Sequence, residues 1–163
     1  MAFLTQAMNQ FTQAPILGLV DLIPSPNVIA AQIVSTSTAA IQNGSAMKLV
    51  SGTGALPLVD AVTGPTDGPI YGVIPYTARK NLYVANDVIQ LCLTTSFMFL
   101  KSSAAITRGA VVSTVAATTS ADPTVATAVT STDYVLGISI DTATAANQLV
   151  RINIKPGAIG AVL

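Results

Sequence analysis

The chain has 163 residues, 51% of them hydrophobic but only 5% aromatic and 9% charged, and its seven Lys and Arg balance seven acids. That length holds one domain with a core and an appendage rather than two domains. The neutral balance argues against nucleic acid, whose affinity for protein comes mainly from cations on phosphates, and the absence of His removes the usual Ser-His and Cys-His relays.

All seven acids are Asp, and Glu and Trp are missing. Glu and Lys usually fill exposed helix faces, whereas Thr and Val fill strands, so the composition predicts an all-β protein. Surfaces of free soluble proteins carry more charge than this. A chain so poor in it is expected to hide much of its surface in an assembly.

In chain order, Phe3, Ala7 and Phe11, with Leu4 and Met8 beside them, stand at helical spacing and predict a short amphipathic helix over residues 3–13, ended before Pro15. The stretch from Pro15 to Gln42 has apolar clusters, no sustained period, and Pro24 and Pro26 in its middle. Residues 1–40 therefore read as an extended N-terminal arm that is stable only against the body or against other subunits. No targeting segment stands out, since the first basic residue is Lys48. No membrane span is expected either: Val88 to Leu100 is too short and holds Gln90, Thr94, Thr95 and Ser96. Cys92, the single cysteine, lies between two leucines and reads as a small buried hydrophobe.

The body is expected over residues 41–156. Asn43-Gly44 is a hairpin signal because both residues tolerate φ above zero, and Met47 to Val50 follows as a strand. Leu56 to Val59 reads as edge-like, since Pro57 cannot donate to a ladder. Thr63 to Pro69 is a loop, Ile70 to Ile74 a strand, and Pro75 to Asn86 a connection with room for one helical turn. Val88 to Leu100 reads as a strand pair or one long bent strand. Ser113 to Thr132 forms a Thr- and Ala-rich meander, strands return at Tyr134 to Ile140 and Leu149 to Ile154, and residues 157–163 form an apolar tail.

Two turns organise this list. Asn43-Gly44 and Arg108-Gly109 each lead into a β-branched run, and each is followed at the same separation by a second Gly opening a strand, Gly72-Val73-Ile74 and Gly137-Ile138-Ser139. Each copy closes on a further run, Val88 to Leu91 and Val150 to Ile154. The expected architecture is a two-fold pseudo-repeat, Gly44 to about Leu93 and Gly109 to about Ile154.

A search for chemistry finds little. Ser45-Ala46-Met47-Lys48 matches Ser-x-x-Lys but enters a strand, where a helix is needed to set hydroxyl beside amine. Gly52-Thr53-Gly54 lacks a third Gly and meets Pro57 where a helix should start. Asp60 and Asp67 bracket a Gly-Pro loop without the ligand spacing of a calcium site. No catalytic, cofactor-binding or metal-binding residues are assigned, no cofactor is expected, and the chain is not expected to be an enzyme.

The run from Ser103 to Val112, with Ile106, Gly109 and Val112 at its key positions, followed by Val135-Leu136-Gly137-Ile138-Ser139 and Val150-Arg151-Ile152, resembles the capsid decoration, or cement, proteins of tailed bacteriophages. The likeness spans about Ala40 to Pro156. It departs at Ala110, where the family often has an acid, and in the long apolar arm. The resemblance implies a small β-barrel or β-tulip body, a homotrimer, on the outer surface of an icosahedral virion head. There it would bind the major capsid protein and bridge adjacent capsomers, with no nucleic acid and no membrane as partner. Phe3, Leu4, Met8, Phe11, Ile16, Leu17, Leu19 and Val20 are the residues expected to anchor it. The alternative is another virion part, a tail-tube subunit or a fibre or surface domain.

Overall fold

The structure, a computed structural model, describes residues 17–18, 26–39, 41–51, 54–77, 80–115, 123–127 and 132–156. The predicted helix over 3–13 and the tail 157–163 lie outside them. Among the described residues the regular elements are all strands: β1 (Asn27–Ile33), β2 (Ile41–Gln42), β3 (Ala46–Ser51), β4 (Leu58–Ala61), β5 (Ile70–Val73), β6 (Leu82–Tyr83), β7 (Val88–Ser102), β8 (Val111–Thr114), β9 (Thr124–Thr127), β10 (Gly137–Ser139) and β11 (Leu149–Ile154). Alternation sets their two faces. In β11, Val150, Ile152 and Ile154 are buried, while Leu149, Arg151 and Asn153 between them are more open.

Five strands close a small mixed β-barrel. β1 pairs in parallel with β4 (Ile33 opposite Val59), β4 antiparallel with β3, β3 with β5, and β5 with β7 through Val73 and Cys92. β7 then returns antiparallel to β1, with Ala31 opposite Ile89, and completes the ring. Its interior holds Ala31, Ile33, Met47, Val59, Ile89 and Leu91, all buried.

The extra strands are bonded in the same scheme around the far half of β7. That half pairs in parallel with β9 (Ser102 opposite Val125), β9 antiparallel with β8, β8 with β10, β10 with β11, and β11 antiparallel with β7 (Val150 opposite Leu100). Single backbone bonds recur as well. Gly44 N donates to Ile74 O and Ile74 N to Ser45 O; Gly109 N donates to Ser139 O and Ser139 N to Ala110 O. Asn86 N donates to Ile33 O and Asn147 N to Ser102 O, and both asparagines take positive φ, at 69° and 65°. The first set therefore begins at β1, ahead of Gly44, and β7 serves it as last strand and the second set as first. β7 changes sets where the registers of both its partners shift, between Cys92 and Met98.

Several predicted elements change. Residues 27–33, assigned from sequence to the arm, are a barrel strand: Pro26 ends the proline-broken stretch, and beyond it Ala31 and Ile33 alternate inward. Leu56 to Val59 is not an edge. β4 starts at Leu58 between β1 and β3, and Pro57 sits just outside it, its carbonyl accepting from Gln32 N at 2.9 Å. Asn43-Gly44 is a turn but closes no hairpin, because β2 pairs with β6 (Ile41 opposite Tyr83) instead of β3. The described part of Pro75–Asn86 holds that short strand β6 and no helical turn. Val88–Ser102 is one strand of 15 residues, and Cys92 within it is fully buried, its thiol pushed up to about 11 by that burial.

Candidate interaction site at the arm root

Of the eight predicted anchoring residues, only Leu17 falls among the described residues; Phe3, Leu4, Met8, Phe11, Ile16, Leu19 and Val20 lie outside them. Leu17 packs against the core that surrounds the far half of β7. It lies directly over Gly44, where an added Cβ would meet its Cγ and Cδ1 at 3.1 Å.

The next residue fixes the chain. Gly18 N donates to Phe99 O on β7 and Tyr76 N donates to Gly18 O, both at 2.7 Å. Gly18 has a φ of +77°, and a Cβ there would sit 3.0 Å from Tyr76 N and 3.1 Å from Gly44 N. Both the conformation and the close approach require glycine. The composition of the segment signalled apolar docking through its leucines, but nothing in Leu17-Gly18-Leu19 announces the backbone clamp, whose partners are far along the chain.

Beside the clamp, Leu17, Gln42, Asn43, Tyr76 and Asn81 line an open cavity of about 230 Å³. A polar network holds its floor. Tyr83 OH donates to Asn43 Oδ1 at 3.2 Å and lies 2.9 Å from Thr77 Oγ1, which donates to Lys80 O at 3.1 Å. The chain then presents Leu82, Val84 and Val88, three large apolar residues exposed on and around one turn. Lys80 donates to Asp87 Oδ2 at 2.6 Å and steadies that turn. On the clamp's other side, Phe99 meets Phe97 edge to face, with centroids 5.8 Å apart, and the Arg151 guanidinium lies 5.7 Å from the Phe97 ring centre. Arg151 makes a two-pronged bond to Asp141, at 2.7 and 2.5 Å.

The residues weighed for chemistry are engaged structurally. Ser45 Oγ accepts from Gln42 N, and Lys48 donates to Asp67 at 2.5 Å. Asp60 accepts from Ser37 Oγ and from Ala61 N. Among the described residues no group of three or more His, Cys, Asp and Glu is placed to hold a metal, and no helix is long and apolar enough to cross a membrane.

Among the described residues, the carboxyl groups of Asp67, Asp87 and Asp141 are held below the usual carboxylate range. Burial works to raise Asp67, but bonds from Lys48 and from the Thr63 hydroxyl and amide outweigh it and lower the group from 3.8 to about 2. Asp87 is lowered chiefly by its bond from Lys80, and Asp141 by its bond from Arg151. A depressed carboxyl binds fewer protons folded than unfolded, so its stabilisation is present above the unfolded value and lost as pH falls through the folded one. Thermal unfolding midpoints are thus expected to fall from near pH 3.8 down to about 2, and Asp67→Asn to lessen that fall. A midpoint unchanged across this range would contradict the pairing.

No protein-family model matches the chain, and no curated protein matches it in sequence.

Proposed function

We propose that the protein is a structural capsid decoration, or cement, protein that binds the outside of an icosahedral phage head and bridges adjacent capsomers. The observation that carries this reading is the pinning of Leu17–Gly18 to the β body, through Phe99 and Tyr76, at a cavity that Leu17 shares with Asn81 next to the exposed apolar turn of Leu82, Val84 and Val88. A rigid body with an apolar strap suits strand addition or groove docking on a neighbouring subunit. The proposed body is a β-tulip built as a two-fold pseudo-repeat with an N-terminal arm. The shared bonding scheme of the two strand sets supports the pseudo-repeat, and the motifs running from Ile106 through Ile152 support the family resemblance.

On this reading the partner is the major capsid protein, the protein is a homotrimer on the virion surface, and the work is mechanical. Three straps per trimer act multivalently, so weak individual contacts hold once the lattice presents them together. The test is to weigh the purified protein in solution, add it to bare expanded phage shells and count the copies bound. A trimer saturating three-fold positions is expected. A chain starting at Leu17 is expected to bind at least about tenfold more weakly, having lost Phe3, Leu4, Met8, Phe11 and Ile16. Protein that ignores shells, or forms long tubes alone, points to the tail-tube reading instead.

A further inference from the structure

The pairings place the two strand sets in register with each other, and this exposes a contact that each chain makes once internally and leaves half-made twice. Met47 opposite Gly72 in the first ring holds the place of Val112 opposite Gly137 in the second. On the outer face beside them, Ala46, Val73 and Cys92 are neighbours across three strands. They are buried in one cluster with Met98, Ile152 and Ile154 of the second ring, and Val73 is 0% exposed. This face is the first ring's half of the ring-to-ring contact.

The same places in the second ring are held by Val111, Ile138 and Asn153, joined by the same pairings. There Ile138 is 49% exposed. Where one ring of this kind meets another, the position is filled and dry; in the second ring Val111 and Ile138 leave it apolar and open beside the exposed, polar Asn153.

The second ring's half of the internal contact has its own counterpart. Thr114, at the end of β8, donates through Oγ1 to Gly64 O at 3.4 Å and is 8% exposed; Tyr134 N donates to Pro65 O at 2.8 Å. In the first ring the place of Thr114 belongs to Leu49, and the next to Val50, exposed by 48% and 49%. Thr114 is covered by the first ring, whereas Leu49 and Val50 are two adjacent apolar residues left exposed at the corresponding end of β3. Apolar residues exposed singly are ordinary, but adjacent ones that match the contact-making end of the other ring point to a contact.

We propose that the Val111–Ile138 face of one chain docks a second copy of the same chain through that copy's Leu49–Val50 end, repeating between chains the contact made between rings within one. Such a contact is heterologous: each chain offers a different half to each neighbour, and the series closes into a ring when the rotation permits. The trimer named above is one such closed ring. This proposal supplies the surfaces for that self-association and does not depend on the capsid.

The test is mass in solution by light scattering for the full chain, Ile138→Asp, Leu49→Asp and an equimolar mixture of the two variants. The full chain is expected at a multiple of the single-chain mass and each variant at the single-chain mass. In the mixture each variant keeps one intact half, so exactly complementary halves meet once and a two-chain species is expected. Should Ile138→Asp lose its cooperative melting transition, Ile138→Ser takes its place. A full chain that stays single, variants that keep the multimeric mass, or a mixture that stays single overturns the proposal. Shells play no part here, so loss of association and loss of shell binding are read separately.

Discussion

Gly137→Ala is expected to leave the protein largely unfolded, with a cost above about 4 kcal/mol, at the top of the range single substitutions reach. The added Cβ would fall on the Asn153 carbonyl oxygen, far inside van der Waals contact. Neither side can give way, because Gly137 and Ile154 face each other in the β10–β11 ladder. The corresponding Gly72 is a graded control: its Cβ would lie 3.0 Å from Cys92 O and 3.3 Å from Leu91 Cβ. Gly72→Ala is therefore expected to cost less, about 1–3 kcal/mol of overpacking. Gly109 has nothing within 4 Å but a φ of +83°, so Gly109→Ala meets backbone strain alone, about 1–2 kcal/mol. Urea unfolding of the three variants should place Gly137→Ala last by a wide margin. A Gly137→Ala protein as stable as the parent would mean that β10 and β11 do not approach this closely.

The second large effect separates two truncations. A chain beginning at Leu17 is expected to keep the parent's cooperative melting transition, because the Gly18 clamp and β1 both remain. A chain beginning at Ser35 loses β1, and with it the buried Ala31 and Ile33, the ladder to β7 and the parallel bonds to β4. Its first ring is then open, with two unpaired strand edges that invite aggregation. Hydrogen exchange should show protection lost throughout residues 41–94. Protection in β3, β4 and β5 that survives this deletion would show that β1 is dispensable to the ring. Any trial of the strap's role on shells must for this reason stop short of Asn27.

The difference between those truncations shows what the residues announced and what they concealed. The runs at Ala46–Ser51, Ile70–Val73 and Leu149–Ile154 are dense in β-branched and large apolar side chains, and all three are strands. β1 is diluted by Ala30, Ala31 and Gln32 and follows two prolines, so its period is weak and its pairing with β7 comes from far along the chain. β2 and β6 are two residues each, too short to carry a period. The matching separations of Gly44 to Gly72 and Gly109 to Gly137 were visible in the sequence. The reason for Gly72 and Gly137, a neighbouring strand's carbonyl against the Cα, depends on tertiary approach. At the arm root Leu17 was legible as apolar, whereas Gly18 matters through a positive φ and two remote backbone partners that no local pattern encodes.

β7 belongs to both rings along one unbroken backbone. In tandem arrays each unit meets the next across a side-chain interface and can melt on its own, so stability adds up unit by unit. Here neither ring can open at this strand without breaking the other's neighbour, and tension applied to one is carried into the other by covalent bonds. A load on one set is thus shared with the other along β7, which stiffens the molecule in the direction of that strand.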